Sequence, residues 1–429
     1  MSSATTDAAI SATPDDGVVR AADGTPLKKS LARALRREKT RSFLLIAPLL
    51  LFILISFIAP IADMLFRSVE NNIVEDTIPR TVEALKEWDP DSDELPSEDV
   101  FAALHADLEI AVKQRIHTRL GSRLNYEASG MSGLFRKTGR SVRRMDEGNY
   151  REQFIEADED WGELETWRVI RRFSAPYTAG YFLNAVDAER TSEGIELKPE
   201  NERIYLTLFN RTLVMSLAIT LSCLLLGFPI AYLLAHLSLR TSNMLLILVL
   251  LPFWTSLLVR TSAWKVLLQQ QGVINDFLVW IGLIDDANRL VMINNQTGTI
   301  IAMTHILLPF MILPLFSVMK TISPSYVRAA KSLGANDWTA FWRVYFPQTI
   351  PGIGAGAILV FILSIGYYIT PELVGGTSGI FISNRIAYHI SSSLNWGLAA
   401  ALGTILLALV MLLFYVYDKI VGIDNVKLG

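Results

Sequence analysis

SPSYVRAAKSLGANDWTAFWRVYFPQTIP occupies residues 323–351 and separates two long apolar runs. Ser323 followed by Pro324 is the pattern of a helix N-cap with proline at the first helical position. Gly334 is the type of residue that is found just past a helix end. The first half of this segment is therefore predicted to be one short helix.

A second helix is predicted in the other half of the segment. Asn336 or Asp337 can cap it, and Pro347 must terminate or bend it, because proline removes a backbone donor. The two arms then form a rigid helix-turn-helix, with small residues that permit close approach and aromatic residues that supply anchors: Ala329, Ala330, Gly334, Ala335, Trp338, Phe341 and Trp342. Periodicity alone favours a plainer interpretation, a helical hairpin packed on its own spans.

Long uncharged runs on both sides of this segment predict an all-α, polytopic membrane protein. The chain has 429 residues, of which 51% are hydrophobic and 19% charged. A hydrocarbon core of roughly 30 Å needs about 20 apolar helical residues. Six runs qualify, namely residues 42–62, 212–235, 241–259, 297–319, 352–370 and 397–417. A single cysteine, Cys223, excludes an intrachain disulfide, and a net charge of -3 gives no basic excess that would indicate nucleic acid.

The basic residues near the first run predict the orientation. Seven Lys and Arg residues lie between Lys28 and Arg41, so the N-terminus is expected in the cytoplasm. Residues 1–41 are then a disordered basic cytoplasmic tail and residues 42–66 the first transmembrane helix. Six crossings place the segment 323–351 and the C-terminus on the cytoplasmic side as well.

Residues 67–205 form a long insertion between the first two spans, which is expected to lie outside and to fold as a small helical domain. Phe101, Leu104, Leu108 and Val112 lie near helical spacing. The insertion carries more acidic than basic side chains, which is typical of a solvated surface and also of a region that attracts a cationic solute or partner.

The spacing AA-x3-G-x9-[IV]-x-[LF]-P resembles the EAA loop of permease subunits of binding-protein-dependent ABC importers. It is carried here by Ala329, Ala330, Gly334, Val344, Phe346 and Pro347. In that family the loop forms a coupling helix, which inserts into a cleft of the ATPase subunit. Arg328 stands where the family usually has glutamate. The resemblance covers residues 206–417, and the region 206–429 is accordingly expected to be a permease domain with its coupling loop at 321–351.

The resemblance implies the parts of the transport complex and their location. The coupling residues would be Arg328, Ala329, Ala330, Gly334, Ala335, Phe341, Val344, Phe346 and Pro347. The partners would be a cytoplasmic ABC ATPase dimer, a second permease subunit, with a paralogue favoured over a second copy, and a periplasmic solute-binding protein. The chain would lie among the lipids of a bacterial inner membrane. It has no GxxxxGK[ST] motif, so no cofactor is expected on it, and ATP and Mg would bind to the ATPase.

The stretch YYITPELVGG, residues 367–376, makes the chain most similar to the spermidine/putrescine permease branch. A small organic cation is the expected solute, with iron, thiamine or phosphonate compounds as alternatives. Glu372 is then a candidate to receive an ammonium group, and Tyr367 and Tyr368 are candidates to stack on a cation or to anchor at the membrane interface. Asp63 and His305 are further ionisable residues near the spans, and His305 is interpreted as a packing residue.

An ion-coupled secondary transporter is the main rival, and a membrane sensor is another. The first would show paired broken helices and several charges within the membrane, and neither is clear in the sequence. The second needs a cytoplasmic output domain, and the predicted cytoplasmic parts are too short for one. An enzyme is not expected.

Overall fold

The computed structural model describes residues 26–190 and 194–421, and these confirm the all-α prediction. The first ten helices are α1 Leu27–Ile53, α2 Ala59–Arg67, α3 Asn72–Thr77, α4 Pro79–Ala84, α5 Glu98–Lys113, α6 His117–Leu124, α7 Met131–Ser141, α8 Tyr150–Ala157, α9 Leu164–Arg172 and α10 Gly180–Ala185. The others are α11 Tyr205–His236, α12 Leu239–Leu250, α13 Leu257–Leu267, α14 Val273–Trp280, α15 Gln296–Thr321, α16 Pro324–Ser332, α17 Asp337–Ala340, α18 Phe346–Gly366, α19 Ile369–Val374, α20 Ile382–Ser391 and α21 Trp396–Val421. Strands β1 Ala188–Arg190 and β2 Ile195–Leu197 pair antiparallel.

The chain divides into two compact units, residues 1–65 and 66–429. In the first unit, a π-turn at Leu54–Ile58 joins α1 to α2, so that the helix is continuous. The helix begins at Leu27, and the prediction of a disordered tail up to residue 41 is therefore wrong for residues 27–41. The physical reason is that this stretch is rich in Leu, Ala, Lys and Arg, which favour helix. Residues 1–25 lie outside the described part of the chain.

Five helices are long and apolar enough to cross a membrane, namely Ala34–Arg67, Tyr205–His236, Gln296–Thr321, Asp337–Gly366 and Trp396–Lys419. They confirm five of the six predicted spans. The third, predicted as one helix over residues 241–259, is a broken pair in which α12 and α13 are bent by 95°. Pro252 lies in the 3-10 turn Leu251–Trp254 that follows α12, and Thr255 is extended, so the helix stops there and restarts in a new direction.

The ends of α11 and α15 show that the segment containing this broken pair runs back from one end of the bundle to the other. Lys320 Nζ donates to Ala235 O at 3.3 Å, so α11 and α15 finish at the same end, which we call the loop end. At the opposite end, Thr212 Oγ1 accepts from Ile382 N at 2.9 Å. Thr299 Oγ1 donates to Gly379 O, also at this end. Because α11 and α15 run in the same direction, the segment between them must return to the opposite end, which gives up to six crossings when the bent pair counts as one span.

Small residues let α18 pack closely on α15. A Cβ at Gly352 would lie 3.0 Å from Val318 Cβ, and one at Gly356 would lie 2.7 Å from Met311 Sδ. Such close backbone approach is how helices associate where lipid removes the hydrophobic driving force. The sequence pattern at the start of the fifth span is thus used for helix packing.

Residues 66–204 form many short helices around an aromatic core. Phe101, Trp161 and Trp167 are fully buried, and the Phe101 and Trp167 rings lie 4.7 Å apart. Each indole nitrogen has a partner, because Trp161 Nε1 donates to Thr138 Oγ1 and Trp167 Nε1 donates to Trp161 O. A core of this kind gives the insertion a defined fold.

The insertion is fixed to the end of the bundle opposite the loop end. The Tyr181 ring packs directly on Gly397 at the start of α21, and Asp187 accepts from Leu206 N at 2.7 Å. His389 Nε2 lies 3.0 Å from the Tyr205 hydroxyl. Burial, together with the nearby Arg385 charge, lowers the pKa of His389 to about 4, so its ring is neutral at pH 7. We call this the insertion end.

Gly397→Ala is expected to weaken the joint between the insertion and the bundle. The added Cβ would lie 2.4 Å from Tyr181 Cε2 and Cζ, and overpacking of this kind costs about 1–3 kcal/mol. Gly403→Ala, on the same helix with open space around it, is the matched control and should stabilise the chain by about 0.5–1 kcal/mol. Thermal unfolding in detergent measures both. Equal midpoints for the two variants would contradict this packing.

Candidate functional site

The first arm of the loop, α16, has the predicted ends. The Ser323 side chain accepts from Ser325 N, and Pro324 is the first helical residue. The helix stops at Ser332, and Gly334 has φ +90, a left-handed conformation in which a side chain is strained. Ala335 N donates to Ala330 O at 3.0 Å, which closes the helix end. The predicted cap, proline and glycine are therefore all confirmed.

The second arm corrects the prediction of a separate hairpin helix. Asn336 caps it by accepting from Thr339 N at 2.8 Å, as predicted. The helix then continues from α17 through a π-turn at Phe341–Tyr345 directly into α18. Pro347 does not end it, because the proline stands in the first turn of α18, just after the widened π-turn, where a missing backbone donor is tolerated. The second arm is thus the extension of the fifth span.

An aromatic cluster links this arm to α11. Phe341 packs on Phe228 and Tyr232, with ring centroids 6.2 and 6.0 Å apart. Tyr345 lies 5.4 Å from Tyr232 and 5.5 Å from His236. Aromatic pairs at these separations are favourable beyond their buried area. A displacement of the loop would therefore be carried into two transmembrane helices.

The exposed side of the loop consists of its turn. Leu333 is 90% exposed and Trp338 is 72% exposed, which is unusual for large apolar side chains. Lys331 and Asp337 form an ion pair that ties the two arms together. Of the predicted coupling residues, Arg328, Ala329, Gly334 and Pro347 are exposed, whereas Ala330, Ala335, Phe341, Val344 and Phe346 are partly buried. Leu333 was not among the predicted coupling residues. A large apolar residue at a polar turn could have indicated an exposed contact residue there.

A cavity of about 380 Å³ lies behind the turn. Its lining includes Tyr232 and His236 from α11 and Arg328, Lys331 and Phe341 from the loop. The first arm is therefore not packed tightly against the bundle along its whole length. Space of this kind permits α16 to move relative to α11.

The three residues predicted to line a solute path lie together at the insertion end. Asn384 Nδ2 donates to Glu372 Oε2 at 2.6 Å and to Tyr368 O at 2.9 Å. Ser383 Oγ donates to Tyr367 O at 2.5 Å. Glu372 and Tyr368 are exposed, and Tyr367 is partly buried. The short helix α20 thus holds all three in place and leaves the Glu372 carboxylate accessible.

His305 has the packing environment that was expected. Its Nδ1 accepts from Trp264 Nε1 at 3.1 Å, and the two rings lie 5.3 Å apart. The contact also shows that α13 lies beside the middle of α15. Asp63 lies in the other compact unit, and its side chain is exposed.

Comparison with known proteins decides the family. The family model for the binding-protein-dependent transport system inner membrane component matches residues 211–422. The spermidine/putrescine transport system permease protein PotB of Salmonella typhimurium (strain SL1344) is 36% identical over 215 residues, which are 49% of this chain and 74% of that protein. This chain belongs to that family of inner membrane transport components. It is a permease subunit, and the family match begins after the insertion.

Two further proteins are similar over about half of this chain. PotB of Escherichia coli (strain K12) is 35% identical over 224 residues, which are 52% of this chain and 81% of the relative. A solved bacterial ABC transporter involved in the import of the acidic polysaccharide alginate is 21% identical, with a TM-score of 0.41, covering 52% of this chain and 80% of that one.

Proposed function

We propose that this permease subunit forms part of the solute path of an ATP-driven importer and transmits ATPase movement through the loop at residues 321–351. The aromatic contact between Phe341 and Tyr345 of the loop arm and Tyr232 of α11 is the observation that carries this proposal. Because α17, the π-turn and α18 are one continuous helix, a force on the exposed turn reaches the fifth span without a flexible joint.

The proposed complex has three protein partners. A cytoplasmic ABC ATPase dimer would grip the turn around Gly334 and would bind ATP and Mg, since this chain has no phosphate-binding loop motif. A second permease subunit would complete the path, and a periplasmic solute-binding protein would deliver the solute to the insertion end. The chain would lie in a bacterial inner membrane with both termini in the cytoplasm and residues 67–205 outside.

The proposed solute is a polyamine such as spermidine or putrescine. Two PotB relatives at 36% and 35% identity carry those solutes in their names. The chemistry at the insertion end supports the same class, because an exposed Glu372 carboxylate next to Tyr368 suits a primary ammonium group. The solute contacts would be made by Glu372, Tyr367 and Tyr368.

Competition for uptake tests the solute class. The assembled transporter in proteoliposomes should import labelled spermidine or putrescine, and unlabelled polyamines should compete. Thiamine, ferric chelates and phosphonates serve as the competing classes. If one of these solutes were imported and polyamines were not, the polyamine assignment would be wrong while the permease role would stand.

A further inference from the structure

Arg260 has no counter-ion within the part of the chain that the structure describes. Its Nε and Nη1 atoms are buried, and neither has a hydrogen-bond partner. A guanidinium group is always charged and only donates, so buried nitrogens without acceptors carry a large desolvation penalty. An acceptor supplied from outside the chain would relieve this penalty.

Helix α13, which carries Arg260, contacts both α19 and α15. On the same helix, Thr261 Oγ1 lies 3.2 Å from Thr370 Oγ1, and Trp264 donates to His305 of α15. The third span was predicted to end at residue 259, so the sequence placed Arg260 just beyond its outer end. The break after Pro252 instead lays α13 against the middle of the fourth span.

The long helices of the bundle carry no counter-ion for Arg260 within the described residues. Helices α11, α12, α13, α15 and α18 contain no Asp or Glu. Glu372 of α19 accepts from Asn384 and forms no ion pair with Arg260 in the described part of the chain. The Arg260 side chain is partly exposed, so the guanidinium group can be reached from outside the chain.

We propose that Arg260 is the cationic half of a carboxylate-binding site, and that the carboxylate comes from outside this chain. The source is either the second permease subunit or the transported solute. This inference rests on the proposed assembly with a second permease. A polyamine has no carboxylate, so with a polyamine solute the acid belongs to the second subunit.

Arg260→Met and Arg260→Lys test the site, and Lys265→Met is the control because Lys265 is an exposed cation on the same helix. In the full chain purified alone, Arg260→Met should unfold at the same temperature as the wild type or higher, because it removes an uncompensated charge. A lower unfolding temperature would show that Arg260 has a partner within the chain and would overturn the proposal.

The assembled complex identifies the source of the carboxylate. If the second subunit provides it, Arg260→Met should reduce co-purification of that subunit by more than about tenfold, with Arg260→Lys in between. If the solute provides it, assembly should be normal and uptake should fall by a similar factor. Assembly and uptake equal to those of Lys265→Met would overturn the proposal. Absence of a second permease from the wild-type complex would instead count against the proposed function.

Discussion

Replacing Gly334 with glutamate is expected to abolish uptake and to remove the ATPase from the purified complex, with binding weakened by more than about thirtyfold. The turn at Gly334 is the most exposed part of the loop, and a Cβ there meets nothing within 4 Å in this chain. The added side chain therefore projects outward, into the space that a docked partner would fill. Membrane insertion of the chain should be normal.

Gly282→Glu is the matched control for backbone strain. Gly282 also has a positive φ, +73 against +90 at Gly334, and is likewise open around its Cβ position. Both variants carry the same conformational penalty of about 1–2 kcal/mol and the same added charge. Co-purification of the ATPase with the Gly282 variant and its loss from the Gly334 variant would assign the effect to docking. Normal ATPase binding by Gly334→Glu would contradict the coupling role of the loop.

Glu372→Gln is expected to reduce uptake of a polyamine by roughly tenfold to a hundredfold, because a charge-assisted hydrogen bond is worth about 1.5–3 kcal/mol. The glutamine keeps an oxygen that can accept from Asn384 Nδ2, so the contact between α19 and α20 is retained. Assembly of the complex should therefore be unchanged. Initial rates over a range of solute concentrations measure the effect.

Glu196→Gln is the control for this prediction. Glu196 is an exposed carboxylate on β2, in the insertion, and makes no contact with the cluster around Asn384. Removal of its charge should leave uptake as it is in the wild type. If Glu372→Gln and Glu196→Gln gave the same kinetics as the wild type, Glu372 would have no part in the solute path.

Local signals in the sequence predicted the loop well because its ends depend on local chemistry. The Ser323 cap, Pro324 and Gly334 act within one helical turn, so their effect does not depend on distant packing. Hydropathy was equally sufficient for five spans, since the membrane requires long apolar helices whatever their neighbours.

The predictions of helix ends failed at two prolines, because the effect of a proline depends on the backbone around it. Pro252 breaks the third span, whereas Pro347 stands in a continuous helix because a π-turn precedes it. The same residue type thus has opposite outcomes, and the backbone conformation around each proline decides between them. The sequence placed Arg260 at the membrane edge because a straight third span was predicted. The 95° bend instead brings its helix, α13, beside the fourth span.

Uptake by proteoliposomes, with and without the ATPase subunit, tests the central claim most directly. We expect the purified chain and the second permease alone to move no solute, and uptake to begin when the ATPase, ATP and Mg are added. Uptake by the membrane chains without nucleotide, driven by an ion gradient, would contradict it.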